Sequence, residues 1–560
     1  AKYSFTIFRY SPFLGIFFIY SDTNTVSITG NVFGGGKGND STAALVTGNI
    51  NISVDGSNLP KCNAFGGSDV NGDVNGTIYV KIGENNVSTI NSVYGGGNQA
   101  AIGTETKEVK VYLLSNAVVT NAFNGGKSAD LLSSSESDET RQIYLQGGTA
   151  QNIYGGSDSS GTVTVSHLYI ESGNAGNVYG GNNQGGTTTI TYVNIKGGII
   201  DKVYGGGEKA ETTTSNISTT GGTVNYIFGG GNQAGVTTTN INTKGGNIGS
   251  AYGGSNTSGN VNESFVNTND SDEIQTNKKI TMEIKKEVSI AQDWQKGNYT
   301  TYSTLAKLTV TIKNNTENNI TKWNANITVP ESVLRVNDSS ADITQNNGSY
   351  NITEKNRYYG TNTIQANGSF SFTFEILTMQ SVEDFGLVYS LSGKDDKGNS
   401  LSYDESRIGT VYGGNNQGGV TTTSHVTVNG GEVQNVYGGG NQAVTNETNV
   451  NINGKVAKNV FGGGNQAGVN TNTNVNLNGA IVGDNIYGGG NEGIVTGDTF
   501  VYVKNSDLSN SLYAGGNGAT AVVYGNTNLY MHGTNSVTNS VFGGGNKAET
   551  GTEEKNSSKS

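Results

Sequence analysis

The chain has 560 residues, of which 85 are Gly and only 3 are Pro, with charged residues at 14 %, so it is neither a collagen-like repeat nor a charged disordered tract. Its formal charge of -12 leaves no basic footprint for phosphate, and nucleic acid is not expected as a partner. A single cysteine, Cys62, excludes an internal disulfide.

The first segment, residues 1–25, carries the most apolar run, KYSFTIFRYSPFLGIFFIY from Lys2 to Tyr20. Its uninterrupted part, Pro12 to Tyr20, is far shorter than the roughly 20 residues needed to cross a bilayer, so no transmembrane span is expected. Lys2 and Arg9 would suit a targeting leader, but no small-residue cleavage site follows Tyr20. Aromatic and β-branched content predicts a strand, with Pro12 and Gly15 marking a bend. Phe13, Leu14, Ile16, Phe17, Phe18, Ile19 and Tyr20 have two expected roles. They cap the open end of their own chain, or they pack on another copy and join subunits into a homo-polymer.

From Val26 one unit returns again and again. NVYGGNNQGGTTTITYVNIKGG, Asn177 to Gly198, recurs nearly intact as TVYGGNNQGGVTTTSHVTVNGG, Thr410 to Gly431. An aromatic followed by small residues marks each copy, at Phe33, Phe65, Tyr94, Phe123, Tyr154, Tyr179, Tyr204, Phe228 and Tyr252, then at Tyr412, Tyr437, Phe461, Tyr487, Tyr513 and Phe542. A period of roughly 24 to 25 residues, loosening towards both ends, is too short for an independent domain and suits one coil of a solenoid. The fold class read from the chain is therefore all-β, a parallel β-solenoid over residues 26–273 and 407–548. Laying coils over one another points Val193 and Ile195 inward with Val426 and Val428. By strict alternation Thr187, Thr189 and Thr191 share that inner face with Val420, Thr422 and Ser424. Thr188, Ile190, Tyr192 and Asn194 then face outward with Thr421, Thr423, His425 and Thr427. The glycines after each aromatic predict a corner, and Asn232, Asn441, Asn465, Asn491 and Asn546 behind them predict an Asn ladder along it.

Between Tyr252 and Tyr412 the repeat stops. Residues 274–406 carry ordinary period-two strands, TMEIKKEVSI, LAKLTVTIKN, ITKWNANITVP and SFSFTFEIL, which predict an inserted antiparallel β-sandwich. The stretch DWQKGNYTTYSTLAKLTVTIKNNTENNITKWNANITVP with NGSYNITEKNRYYGTNTIQANGSFSFTFEI resembles a family 2 carbohydrate-binding module over about a fifth of the chain. That family stacks an exposed Trp of a W-x-x-G-[FY] segment on a sugar ring. The resemblance gives this role to Trp294, with Gly297 and Tyr299 following, and makes Trp323 the buried core Trp. Of two further platform positions, one falls near Asn337 and Asp338 and the other at Tyr358 or Tyr359. The implied carbohydrate-binding residues are Trp294, Tyr299, Tyr358 and Tyr359, and the implied partner is a polysaccharide or glycan, cellulose-like or chitin-like. Residues 549–560 are polar and expected to remain disordered.

The repeat itself is similar in architecture to the Gly-rich parallel β-helix of polysaccharide lyases and bacterial surface adhesins. A lyase or hydrolase needs clustered carboxylates on one face. Asp69, Asp158, Asp201 and Glu208 do not share a register across consecutive coils, and His167, His425 and His532 are scattered. No catalytic residue, metal site or cofactor is expected. The expected function is an extracellular or cell-surface adhesive β-solenoid of a prokaryote that binds glycan, with a self-assembling filament or coat subunit as the alternative.

Overall fold

The computed structural model describes residues 14–20, 28, 30–269 and 407–551, and between them 280–290, 295–296, 300–301, 304–328, 332–335, 341–346, 349–356, 362–378, 388–398 and 400–404. The chain divides into two compact units, one made of residues 1–270 with 406–560 and the other of residues 271–405.

The first unit is a parallel β-solenoid with a coil of roughly 25 residues. One long ladder starts with Leu14–Tyr20 on Asn49–Asp55, passes through Thr77–Ile82 and Glu108–Leu113, and ends with Thr499–Lys504 on Thr527–His532. A second starts with Val32–Phe33 on Asn58–Phe65 and ends with Leu512–Tyr513 on Val541–Phe542. A third, narrow side is built from single bridges such as Val46 to Val74 and Val469 to Val495 to Val523. In such a stack every side chain lies on its counterpart one coil away, which sorts the sequence into columns.

The aromatic anchors form one column. Consecutive rings from Phe33 to Phe542 lie 4.5–5.0 Å apart and within 14° of parallel. The glycine behind each ring is there for close approach. A Cβ on Gly180 would lie 2.2 Å from the Gly205 carbonyl oxygen, and on Gly438 2.2 Å from that of Gly462. Those carbonyls receive hydroxyls from a fully buried Ser/Thr column: Thr191 donates to Gly205 O at 2.6 Å, Thr239 to Gly253 O at 2.6 Å, Ser424 to Gly438 O at 2.5 Å and Thr448 to Gly462 O at 2.6 Å. Each bond ties the long face of a coil to its own corner, so the hydroxyls are satisfied inside an otherwise aliphatic interior.

The inner and outer faces follow alternation only as far as Thr191. Thr188 and Thr421 are buried, whereas Thr187 and Thr422 are exposed and Thr189 and Val420 half-buried, the reverse of the expected order. The ladder pairs Val163 with Thr188 and then Val165 with Ile190, and Val261 with Thr421 and then Glu263 with Thr423. Thr189 and Thr422 are skipped because the chain bends there, and the bend resets the parity. Each buried threonine donates to an Asn that the coil's corner swallows, Thr188 to Asn182 Oδ1 at 3.3 Å and Thr421 to Asn415 Oδ1 at 3.0 Å.

The Asn ladder is present and longer than expected. Amide donates to amide from Asn256 to Asn232, Asn416 to Asn256, Asn441 to Asn416, Asn465 to Asn441, Asn491 to Asn465, Asn517 to Asn491 and Asn546 to Asn517, at 2.7–3.0 Å.

The stack runs straight past the insertion. Asn247–Tyr252 pairs in parallel with Arg407–Tyr412, Val261–Thr268 with Thr421–Val428, and Tyr252 stacks on Tyr412 at 4.7 Å. The second unit is antiparallel throughout its pairings. One sheet is ordered Ile280–Ile290, Thr304–Asn314, Ser369–Thr378, Ser332–Arg335. The other is ordered Ala341–Asn346, Ser349–Asn356, Ile320–Thr328, Val388–Asp395, Ser400–Asp404. Trp323 is 2 % exposed in its core, donates from Nε1 to Asn362 O at 2.8 Å and lies against Phe370 and Phe372.

Because the coils before and after the insert pair directly, replacing Ile274 to Ser406 by a short Gly/Ser loop is expected to leave a soluble β-rich protein with one cooperative melt. Calorimetry checks this, and two separate transitions would count against a single stack.

Candidate functional site

Outward positions of the first long ladder carry the chemistry that the core does not use. In the early coils this surface is aromatic and charged. Tyr112, Tyr144 and Tyr169 stack at 5.0 and 4.9 Å, and the Lys196 ammonium lies 5.8 Å from the Tyr169 ring centre. Glu171 accepts from Gln146 at 2.9 Å and pairs with Lys196 at 3.5 Å. Glu108 pairs with Lys110 at 2.6 Å and accepts from the Tyr79 hydroxyl. Burial pushes the Glu108 carboxyl up, but the bonds from Lys110 and Tyr79 outweigh it and hold it below its ordinary value. Tyr79 in turn is pushed up to about 12, first by its bond to Glu108 and then by burial.

Beside this surface the segment from Leu132 to Thr140 interrupts the repeat, and Arg141 braces it. The guanidinium, 1 % exposed, donates to Leu132 O at 3.1 Å, Thr106 O at 2.9 Å, Gly103 O at 3.2 Å and Thr140 Oγ1 at 2.7 Å. Burial lowers its affinity for the proton, and Asp138 and Glu108 oppose that shift. His167 is 5 % exposed, stacks on Tyr192 at 4.8 Å and bonds Asp138 O through Nε2 at 3.1 Å. Burial holds this imidazole below its ordinary value, which favours the neutral ring at pH 7. Arg141, Asp138 and Glu108 are thus each engaged in bracing this region.

The scattered carboxylates have the same fate. Asp69, Asp158 and Glu208 lie on the Asn ladder, but on separate coils, and each accepts an amide: Asn98 donates to Asp69, Asn183 to Asp158 and Asn232 to Glu208, at 2.8–2.9 Å. Asp201 sits in another column, where the Asn225 amide first and Lys202 second hold it below the usual carboxylate range. Among the described residues no three His, Cys, Asp or Glu side chains are grouped to hold a metal ion. Cys62 is buried, which raises its thiol and keeps it protonated.

Of the residues expected to bind glycan or join subunits, Trp294, Tyr299, Tyr358, Tyr359 and Phe13 lie outside the described residues. Leu14, Ile16, Phe17, Phe18, Ile19 and Tyr20 belong to the strand Leu14–Tyr20, whose backbone pairs in parallel with Asn49–Asp55, Leu14 to Asn49 through Tyr20 to Asp55. The outward positions of Tyr192 and His425 were expected from the sequence, whereas the stack of Tyr112, Tyr144 and Tyr169 and the role of Arg141 were not singled out. Their signal is the register itself: an outward residue gains meaning only beside its counterparts in neighbouring coils.

No family model matches the chain, and no curated protein matches it. Three solved structures give partial likenesses. An inactive mutant of a GH20 exo-β-N-acetylglucosaminidase from Vibrio harveyi shares 10 % identity over 23 % of this chain and 18 % of that one, with a TM-score of 0.16. The Northeast Structural Genomics Consortium target SoR45 shares 16 % identity over 22 % of this chain and 81 % of its own, with a TM-score of 0.13. The enzymatically active domain of tailspike protein 4 from bacteriophage CBA120 shares 10 % identity over 64 % of each chain, with a TM-score of 0.13. Likenesses this distant carry no functional inference.

The anchor tyrosines have a consequence for stability at high pH. Burial pushes Tyr412 and Tyr437 up to about 12, and Tyr94, Tyr154, Tyr179, Tyr204 and Tyr252 are raised further, again mainly by burial. A raised phenol favours the folded state while protonated. Its contribution is complete below the unfolded value of about 10 and is lost as pH rises through the folded value. The thermal midpoint is therefore expected to be insensitive to tyrosine up to about pH 10 and to fall above it, with part of the tyrosinate absorbance appearing only on unfolding. A single titration of all 28 tyrosines near pH 10 in a still-folded chain would show the column to be open to water.

Proposed function

We propose that the chain is a structural and adhesive protein of a prokaryotic surface or its surroundings, without catalytic activity, in which the inserted sandwich binds polysaccharide through Trp294, Tyr299, Tyr358 and Tyr359. One observation supports the reading above the others: the solenoid's pairing continues from Tyr252 to Tyr412 as if nothing intervened. A stack that accommodates a whole sandwich between two adjacent coils acts as a carrier for it. Locking of the carboxylates by Asn amides speaks in the same direction, since it spends them on structure. Trp294→Ala is expected to weaken pull-down on cellulose, chitin or xylan about tenfold, roughly the value of one sugar-stacking ring. Trp323→Ala, in the core, is expected to unfold the insert at a cost of about 3 to 5 kcal/mol. Equal retention of the parent chain and Trp294→Ala on every polysaccharide removes the reading.

A second reading is end-to-end assembly of copies, in which the strand Leu14–Tyr20 of one copy meets the far end of the stack of another. Light scattering on the chain and on a variant lacking residues 1–21 decides it: assembly gives a large species that becomes a folded monomer on truncation. A chain that stays monomeric at high concentration overturns it.

A further inference from the structure

The outward column that contains Tyr192 is not uniform. Read along the stack it runs Tyr192, Asn216, Asn240, Phe265, then His425, Asn449, Asn474, Phe500, each residue paired with the next in register. All of these side chains are half-buried, on the outer surface of their strands. The pattern is a ring, two asparagines and a ring, stated twice, and the two statements meet back to back where Phe265 stacks on His425 at 4.7 Å and 7°.

Side-chain length turns that pattern into relief. A Tyr, Phe or His ring reaches well beyond an Asn amide, so two adjacent asparagines form a floor between two standing walls. Walls separated by three ladder steps of about 4.8 Å stand roughly 14 Å apart, which leaves about 10 Å between ring surfaces. That is room for a pyranose ring against each wall. The tyrosine stack Tyr112, Tyr144, Tyr169 shows the contrast, because successive rings there cover one another's faces. Tyr192 has its other face against His167, and Phe265 has its other face against His425, so each offers one face to its slot.

The floors are polar and neutral. Asn240 donates to Asn216 Oδ1 at 3.1 Å, and Asn216 to Thr191 O at 3.2 Å; Asn474 donates to Asn449 Oδ1 at 3.2 Å. The Oδ1 of Asn240, one ladder step from Phe265, accepts no hydrogen bond among the described residues. An apolar ring face beside an amide floor is the chemistry that takes the CH face of a sugar on one side and its hydroxyls on the other. Lys and Arg are missing from both floors and walls, which disfavours an anionic ligand.

We propose that these two slots form a second glycan-binding surface, on the solenoid itself, for an uncharged chain of pyranose units. The inference does not rest on the insert's Trp294, and the test separates the two. Retardation of the full chain is measured by native electrophoresis in gels holding soluble hydroxyethylcellulose, glycol chitin, arabinoxylan or galactomannan, with the variants Trp294→Ala, Tyr192→Ala with Phe500→Ala, and all three together. The slots predict that Trp294→Ala alone still binds at least one of these polymers, and that adding Tyr192→Ala and Phe500→Ala weakens this remainder about tenfold or more with an unchanged melting temperature. A Phe265→Leu variant keeps apolar bulk but removes the shared wall's ring face, and is expected to lose binding as well, whereas Phe265→Tyr retains it. If Trp294→Ala abolishes all retardation, the slots are wrong and the insert reading stands. If retardation ignores Trp294→Ala and is lost with the slot variants, the slots stand and the insert reading fails. Full binding by the Tyr192→Ala, Phe500→Ala pair in the Trp294→Ala background overturns the proposal, and so does loss of binding accompanied by a change of oligomeric state in solution, which would mark a protein contact instead.

Discussion

Everything in the solenoid answers to one constraint: a side chain's nearest neighbours are its own counterparts one coil above and one below, about 4.8 Å away. At that spacing a residue must be compatible with itself or with a chosen partner. Asparagine satisfies the condition because its amide both donates and accepts, which is why a run from Asn232 to Asn546 closes into a continuous chain of bonds. Aromatic rings satisfy it by stacking. Like charges do not, and the few carboxylates on the same column each have an Asn beside them, as Glu208 has Asn232. The low charge content of the chain follows from this geometry.

The corner where each coil turns is the place at which the constraint is tightest. Backbone from successive coils approaches so closely behind the aromatic that a methyl group would overlap a carbonyl oxygen, as at Gly180 and Gly438. Those oxygens are then satisfied from inside by Ser and Thr hydroxyls such as Thr191 and Ser424. The interior then combines aliphatic columns with these hydroxyls, and stability is a sum of contacts between neighbouring coils. That local character is what lets a sandwich of its own fold occupy the connection between Val261–Thr268 and Arg407–Tyr412 without breaking the ladder. Only the closure of one long loop opposes it, and that penalty grows slowly with length.

How much of this the sequence disclosed depends on what repeats. The aromatic and glycine periodicity gave the parallel solenoid, and the Asn positions gave the ladder, because both are stated in almost every coil. Face assignment failed at Thr187 to Thr189 and Val420 to Thr422, where a bend resets the alternation that period-two reading assumes. Arg141 and the segment it braces went unnoticed because they occur once, and a buried guanidinium paired with carbonyls leaves no periodic trace. The ring and asparagine pattern around Phe265 was present in the letters, but becomes a surface only once the register places residue 265 directly against residue 425 across the insertion.

The division between inner and outer columns also says where function can reside in such a protein. Inner columns barely vary: aliphatic residues, hydroxyls and glycines hold their positions over successive coils, since any change is felt by two neighbours. Outer columns change freely, from Tyr79, Lys110 and Gln142 at one end to Tyr192, Asn216, Asn240 and Phe265 further along. The early coils use that freedom to brace charges and an extra loop against the surface. The later coils set rings beside amides, Tyr192 stacked on His167 with Asn216 in register on its other side, and Phe265 stacked on His425 with Asn240 on its other side. On the reading proposed above, the spacing of those rings is what a glycan would sense.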